Sequence, residues 1–106
     1  MTWEDILKKQ FDYSMLRFKE DPNVETYGDP YTVYRATYGD EPNKYSILVF
    51  DDKTVGGNNS VDILDPMNEL MYTRGYQKRK GRGLQEVPDE IIRSVESIIN
   101  SEINRR

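Results

Sequence analysis

Tyr45-Ser46-Ile47-Leu48-Val49-Phe50 decides how the rest of the chain is read. On an extended backbone, Tyr45, Ile47 and Val49 point to one side and Ser46, Leu48 and Phe50 to the other. Both sides are predominantly apolar, so the segment belongs inside a sheet with cover on each face. An interior strand needs neighbours. On its N-terminal side, Gly39-Asp40-Glu41-Pro42-Asn43 has turn composition. Before that turn, Tyr31–Tyr38 (YTVYRATY) is rich in β-branched and aromatic residues and predicts a second strand. Tyr31, Val33, Arg35 and Thr37 fall on one of its faces, and Thr32, Tyr34, Ala36 and Tyr38 on the other.

On the C-terminal side, residues 53–60 contain Gly56-Gly57-Asn58-Asn59 and read as a loop. Two short apolar stretches, residues 61–64 and 69–73, then flank Asp65-Pro66-Met67-Asn68. Proline at the second turn position presets φ, and asparagine at the fourth tolerates positive φ, so a hairpin is expected. The competing reading makes Asp65 an N-cap and Pro66 the first residue of a helix reaching Tyr72.

The two ends of the chain have helical patterns. Pro88, Asp89 and Glu90 open a segment over about 88–104. Ile91, Ile92, Val95, Ile98, Ile99 and Ile103 line one of its faces, with Arg105 and Arg106 at its negative end. At the N-terminus, Thr2 serves as N-cap, with Trp3, Ile6, Leu7, Phe11, Met15 and Phe18 near helical spacing. One helix over about 3–19 is expected, ending at Asp21-Pro22-Asn23. An alternative breaks it near Gln10 and makes Phe11–Phe18 a strand. Residues 20–30 read as a loop. The expected fold is therefore α+β: an N-terminal helix, a small antiparallel meander of three to four strands and a C-terminal amphipathic helix. Residues 1–106 suit a single domain.

Composition narrows the chemistry. The chain has no Cys and no His among its 106 residues. Disulfides, thiolate ligands and thiol nucleophiles are excluded, as are histidine bases and Ser-His-Asp triads. No cofactor is expected, and an enzyme is not favoured. The hydrophobic fraction is 36%, which implies a modest core, while 32% charged residues favour solubility. No apolar run reaches the ~18–20 residues of a membrane span. The opening Met1-Thr2-Trp3-Glu4-Asp5 lacks the apolar core of a signal peptide. Cytoplasmic residence without a membrane partner is the expectation, and the Asn58-Asn59-Ser60 sequon is discounted with it.

The charge is unevenly spread. The whole chain carries 15 Lys/Arg against 19 Asp/Glu, a formal net charge of −4. Residues 74–83 contain Arg74, Lys78, Arg79, Lys80 and Arg82 and no acid, so ten cations face all nineteen acids elsewhere. Such a run makes a local positive field in an acidic chain. Cations contact phosphates, an aromatic can stack on a base, and glycine permits close backbone approach. Arg74, Tyr76, Lys78, Arg79, Lys80 and Arg82 are the candidate nucleic-acid-binding residues, with Tyr72, Arg74 and Tyr76 alternating onto one face. The opposing interpretation is a solvated loop, or a charged edge that deters sheet aggregation.

Two further groups stand out. Asp51, Asp52, Asp62 and Asp65 lie at expected strand ends, where carboxylates can hold Mg²⁺. Asp51, Asp62 and Asp65 are the weak metal candidates. Asp51-Asp52-Lys53 resembles the acid-x-Lys half of a restriction-type nuclease motif, with Asp29 or Asp40 as the upstream acid. The alternative is a strand ending in solvated acids. Tyr31, Tyr34, Tyr38 and Tyr45 form either a contact face or ordinary half-buried strand residues.

Met1-Thr2-Trp3-Glu4-Asp5-Ile6-Leu7-Lys8 is similar to the start of short, uncharacterised proteins of phages and marine archaea. The resemblance covers eight residues. It implies a small accessory protein of viral or prokaryotic origin, and no fold, activity or site.

These residues lead to a non-enzymatic accessory protein that binds a partner, with nucleic acid favoured through the basic segment. The alternatives are an acidic protein-interaction module or inhibitor, and a carboxylate-metal nuclease. A homodimer through a sheet edge or the last helix fits either of the first two.

Overall fold

The computed structural model describes residues 11–22, 31–52, 58–77 and 87–104. The chain falls into two compact units. Met1–Leu16 and Val87–Arg106 make the first, and Arg17–Glu86 the second.

The second unit is a five-stranded antiparallel sheet in simple sequence order. Its strands are β1 (Lys19–Glu20), β2 (Tyr31–Tyr38), β3 (Tyr45–Asp52), β4 (Asn58–Leu64) and β5 (Leu70–Gln77). As the apolar run requires, β3 is central and buried on both faces, with Tyr45 through Val49 all enclosed. The register sets Ala36, Ile47 and Ile63 side by side, with Tyr34, Val49 and Val61 in the next row. Ile47, Val61 and Ile63 have no solvent exposure. Closed sites of this kind make large-to-small changes costly, about 2–5 kcal/mol for Ile→Ala. Val33 and Leu48 are buried on the opposite face.

The connections follow from local chemistry. Gly39 ends β2 at φ +99°, and a Cβ there would sit 2.5 Å from the Asn43 carbonyl oxygen. Only glycine satisfies both conditions. The Asp65–Asn68 stretch forms a hairpin turn, as its residue types indicate. Asp65 Oδ1 accepts from Met67 N–H at 2.9 Å and from Glu69 N–H at 2.8 Å. Asn68 takes φ +65°. A register shift leaves Met71 as an extra residue in β5.

The strands are more numerous and longer than expected. β4 starts at Asn58 rather than Val61, inside the expected loop, and β5 runs to Gln77 rather than Thr73. Of the fifth strand, β1, Lys19 was expected to end the N-terminal helix and Glu20 to open a loop. Lys19 and Glu20 pair with Arg35 and Tyr34, and Asp21 N–H donates to the Val33 carbonyl at 2.8 Å. Asp21 also pairs with Arg35 at 3.1 Å. This pair is part-exposed, so its contribution is below about 1 kcal/mol.

The first unit contains α1 (Asp89–Asn104) and a short 3-10 turn (Tyr13–Met15). Asp89 and Glu90 occupy the first turn of α1, where carboxylates suit the helix dipole. Ile91, Val95 and Ile99 are spaced four apart and are its buried residues. The expected Arg105 and Arg106 at its end lie outside the described residues.

The expected N-terminal helix over 3–19 is overturned for its described part. Residues 11–19 contain one 3-10 turn and the start of β1. The reason is the destination of their backbone groups. Phe11 N–H donates to Asn100 Oδ1, and Asn100 Nδ2 donates back to the Phe11 carbonyl. Tyr13 N–H donates to Glu96 Oε2 at 2.9 Å. Asn100 and Glu96, one turn apart on α1, thus occupy backbone groups that a helix would use internally. Asp12 caps the turn by accepting from Ser14 N–H at 2.9 Å, which holds its carboxyl below the usual range. Residues 1–10, including Trp3, lie outside the described residues.

Ile99 has no solvent exposure, whereas Ser101 is exposed on the same helix. Ile99→Asp is expected to abolish cooperative thermal unfolding, because it encloses an unpaired carboxylate at a cost above ~4 kcal/mol. Ser101→Asp should change stability by less than about 0.5 kcal/mol. Circular dichroism melts of both variants check this. An Ile99→Asp melt within a few degrees of the parent would remove Ile99 from the core.

Candidate nucleic-acid interface

Five of the six candidate contact residues are cationic, and one of those five is described. Arg74 is exposed on β5, the edge strand at the end of the sheet opposite β1. Lys78, Arg79, Lys80 and Arg82 follow β5 in sequence and lie outside the described residues. The expected basic loop over 74–83 therefore begins as strand, with Arg74-Gly75-Tyr76-Gln77 paired to β4.

The alternation read from the sequence is present. Tyr72, Arg74 and Tyr76 share one face of β5, opposite Ile63, Val61 and Asn59 of β4. Thr73, Gly75 and Gln77 occupy the other face and are exposed. The tyrosine rings are not laid out as platforms. Both are half-buried, and their hydroxyl oxygens are enclosed. The cation on this face of β5 is Arg74.

Behind Tyr76 lies a row of polar groups that the sequence reading missed. Asp51 and Asn59 are each 3% exposed and lie on the same sheet face as Tyr76. The ladder between β3 and β4 ends at Phe50 and Ser60. One step beyond, the Asn59 side chain takes over and accepts from Asp52 N–H at 3.0 Å. Burial raises the Tyr76 phenol pKa above its usual 10. The neighbouring Asn59 side chain opposes this rise and the Asp51 charge adds to it, while the Tyr76 hydroxyl itself makes no hydrogen bond. A signal for this row exists in the sequence. The alternation Asn59, Val61, Ile63 extends the strand period back into the presumed loop.

The acidic constellation does not assemble. Asp51 shares the face of Ile47 and Val49, while Asp62 pairs with Leu48 and Thr73 on the other. Thr73 Oγ1 donates to Asp62 Oδ1. Asp65 braces the hairpin turn, Asp40 is exposed in the β2–β3 connection, and Asp29 lies outside the described residues. Among the described residues no three His, Cys, Asp or Glu are grouped to hold a metal. The tyrosine candidates divide as well. Tyr45 is 2% exposed, Tyr34 and Tyr38 are half-buried on its face, and Tyr31 lies on the other. Tyr31 meets Phe50 there with ring centroids 6.3 Å apart.

No protein family, curated protein or solved structure matches this chain. Among the described residues, no helix is long and apolar enough to cross a membrane.

Tyr76 gives the sheet a signature at high pH. Its folded-state pKa is raised, so the stability it contributes is complete below about pH 10 and is lost as pH rises through the folded value. Tyr76→Phe should therefore lose less stability than the parent between pH 9 and about pH 11. Urea melts at both ends of that range check this. Parallel losses in the two proteins would show that the Tyr76 phenol is not held in its neutral form.

Proposed function

We propose that the protein binds nucleic acid through phosphate contacts, using Arg74 and the cations that follow β5. The supporting observation is the position of the basic run: it continues directly from an edge strand that already exposes Arg74. Among the described residues, β5 has a sheet neighbour on one side only. Contacts of this type position a ligand without reading its sequence. The nineteen acids elsewhere repel the same polyanion, so the footprint is small.

Fluorescence anisotropy with a labelled 20-base-pair duplex and a 20-nucleotide single strand, across several salt concentrations, tests the proposal. If all five cations meet phosphates, log K for the duplex falls with log salt at a slope of about −4.5. Arg74→Ala should reduce the magnitude of that slope by about 0.9. Replacing Lys78, Arg79, Lys80 and Arg82 together by Ala should remove most of the binding. Absent binding at low salt, or parental affinity in the fourfold variant, overturns the proposal.

A second reading, a protein-interaction module, has one observation in its favour. The β4–β5 hairpin exposes Met67 at 81% and Leu70 at 57%, beside Asp65 and Glu69. The turn is braced by Asp65, so these side chains are presented at low ordering cost. This reading expects a nuclease-resistant protein complex that is lost in Met67→Asp/Leu70→Asp with an unchanged melting temperature. Retention of the complex in that variant defeats it.

A further inference from the structure

We infer that α1 carries a binding site for an extended peptide, built from Glu96 and Asn100, and that its occupant, residues 11–16, exchanges with the same segment of a second copy of this chain. The site belongs to the first unit and uses none of the residues proposed to meet phosphates.

Two periodicities coincide there. Residues four apart on a helix are separated by about 6 Å along its axis. Residues two apart on an extended chain are separated by about 6.6 Å. Glu96 and Asn100 have the first spacing, and Phe11 and Tyr13 the second. Asp12, between them, is extended at φ −120° and ψ 126°. The helix therefore meets the segment at every second residue, with the two chains running in opposite directions. Tyr13 N–H donates to Glu96 Oε2 at 2.9 Å, and Phe11 N–H donates to Asn100 Oδ1. Asn100 Nδ2 returns a bond to the Phe11 carbonyl at 3.1 Å. A carboxamide carries the donor and the acceptor of a peptide group, so Asn100 pairs with Phe11 as a residue of a neighbouring strand would.

All three bonds end on main-chain atoms, which every residue but proline offers in full. Selectivity comes from what the segment buries. Phe11 is 3% exposed and Leu16 8%, whereas Asp12, Ser14 and Met15 are exposed. The ligand class is thus an extended peptide with an aromatic residue at its start and an aliphatic one five positions on. A second copy supplies that ligand with every contact reproduced, and exchange of an identical element is a low-cost route to a dimer. The boundary between the two units falls between Leu16 and Arg17, and β1 starts at Lys19. Arg17 and Phe18 are the connection that must turn for the segment to leave its own helix. Within one copy the segment meets its helix at an effective concentration on the order of mM, so exchange sets in as the chain approaches that concentration.

The probe is a synthetic peptide of residues 11–18, acetylated so that Phe11 keeps its amide and labelled at the C-terminus. Full-length Tyr13→Pro lacks the donor to Glu96, which weakens the resident segment. By fluorescence anisotropy it should bind the peptide about tenfold more tightly than the parent, whose own segment holds the site closed. Peptides N-methylated at Phe11 or at Tyr13 should bind about tenfold more weakly than the unmodified one. Circular dichroism checks the fold of Tyr13→Pro. If that variant is unfolded, the parent at higher concentration gives the same comparison of methylated and unmodified peptides. Light scattering on the parent should show a monomer at micromolar chain and a dimer in the mM range, and excess unlabelled peptide should dissolve the dimer. Absent peptide binding, or equal binding of methylated and unmodified peptides, overturns the site. A parent that stays monomeric in the mM range, or a dimer that excess peptide leaves intact, overturns the exchange.

Discussion

Enclosure of β3 on both faces is the constraint on which the sheet depends. A strand with Ile47 and Val49 on one side and Leu48 on the other is apolar on both faces, which suits the middle of a sheet. β2 pairs along the whole of β3, and β4 pairs with Ser46 through Phe50. The remaining strands then fall to the margins. β1 is two residues long and protects little of β2, while β5 is eight residues long, polar and exposed. Arg74 and the bulge at Met71 suit such a margin, because charge and local twist both discourage a second sheet from adding on. Arg74, the cation proposed to meet phosphates, thus also guards the edge. One residue serves both ends, so neither purpose can be inferred from its presence alone.

The parts of this fold legible in the sequence are those whose partners are close by. Tyr31–Tyr38 is rich in β-branched and aromatic residues, Tyr45–Phe50 is apolar on both sides, and the two are joined by a turn that only glycine at position 39 permits. Asp65 to Asn68 carries its turn chemistry within four residues. Ile91, Val95 and Ile99 need only their own helix to share a face. The N-terminal segment is the opposite case. Phe11, Met15 and Phe18 have helical spacing, yet Phe11 is held by Asn100, 89 residues away, and Tyr13 by Glu96, 83 residues away. Propensity over a few turns is a weak preference that a distant pair of hydrogen bonds can override. Nothing in residues 11–18 announces those bonds, because the groups that make them are backbone amides every residue owns.

The candidate site was legible in its charge and illegible in its support. Five cations without an acid can be counted in any sequence. That Arg74 and Tyr76 belong to a strand was obscured by Gly75, which argues for a loop. Structurally, Gly75 is not required: a Cβ there would lie at an ordinary 3.7 Å from the Asn59 carbonyl oxygen. Asn58 and Asn59 were hidden in the same way behind Gly56-Gly57. In both places turn-forming residues sit within or beside a paired strand, where the sheet's own ladder outweighs their local preference. The acids failed differently. Asp51 and Asp62 are near in sequence and on adjacent strands, but alternation puts them on opposite faces, and no local adjustment brings them together.

The same alternation sorts the described acids near β5. Neutralisation at contact range requires an acid on the same face or in the same turn, since screening weakens anything beyond roughly 8–10 Å at physiological salt. Two of the acids near β5 are held by groups of their own. Asp62 lies on the other face and accepts from Thr73, and Asp65 accepts two amides in its turn. Asp51 shares the Arg74 face but is 3% exposed, within the row that holds Asn59 and Tyr76. Asp51 and Asp62 are thus kept apart by strand alternation and burial, whatever the net charge of the chain.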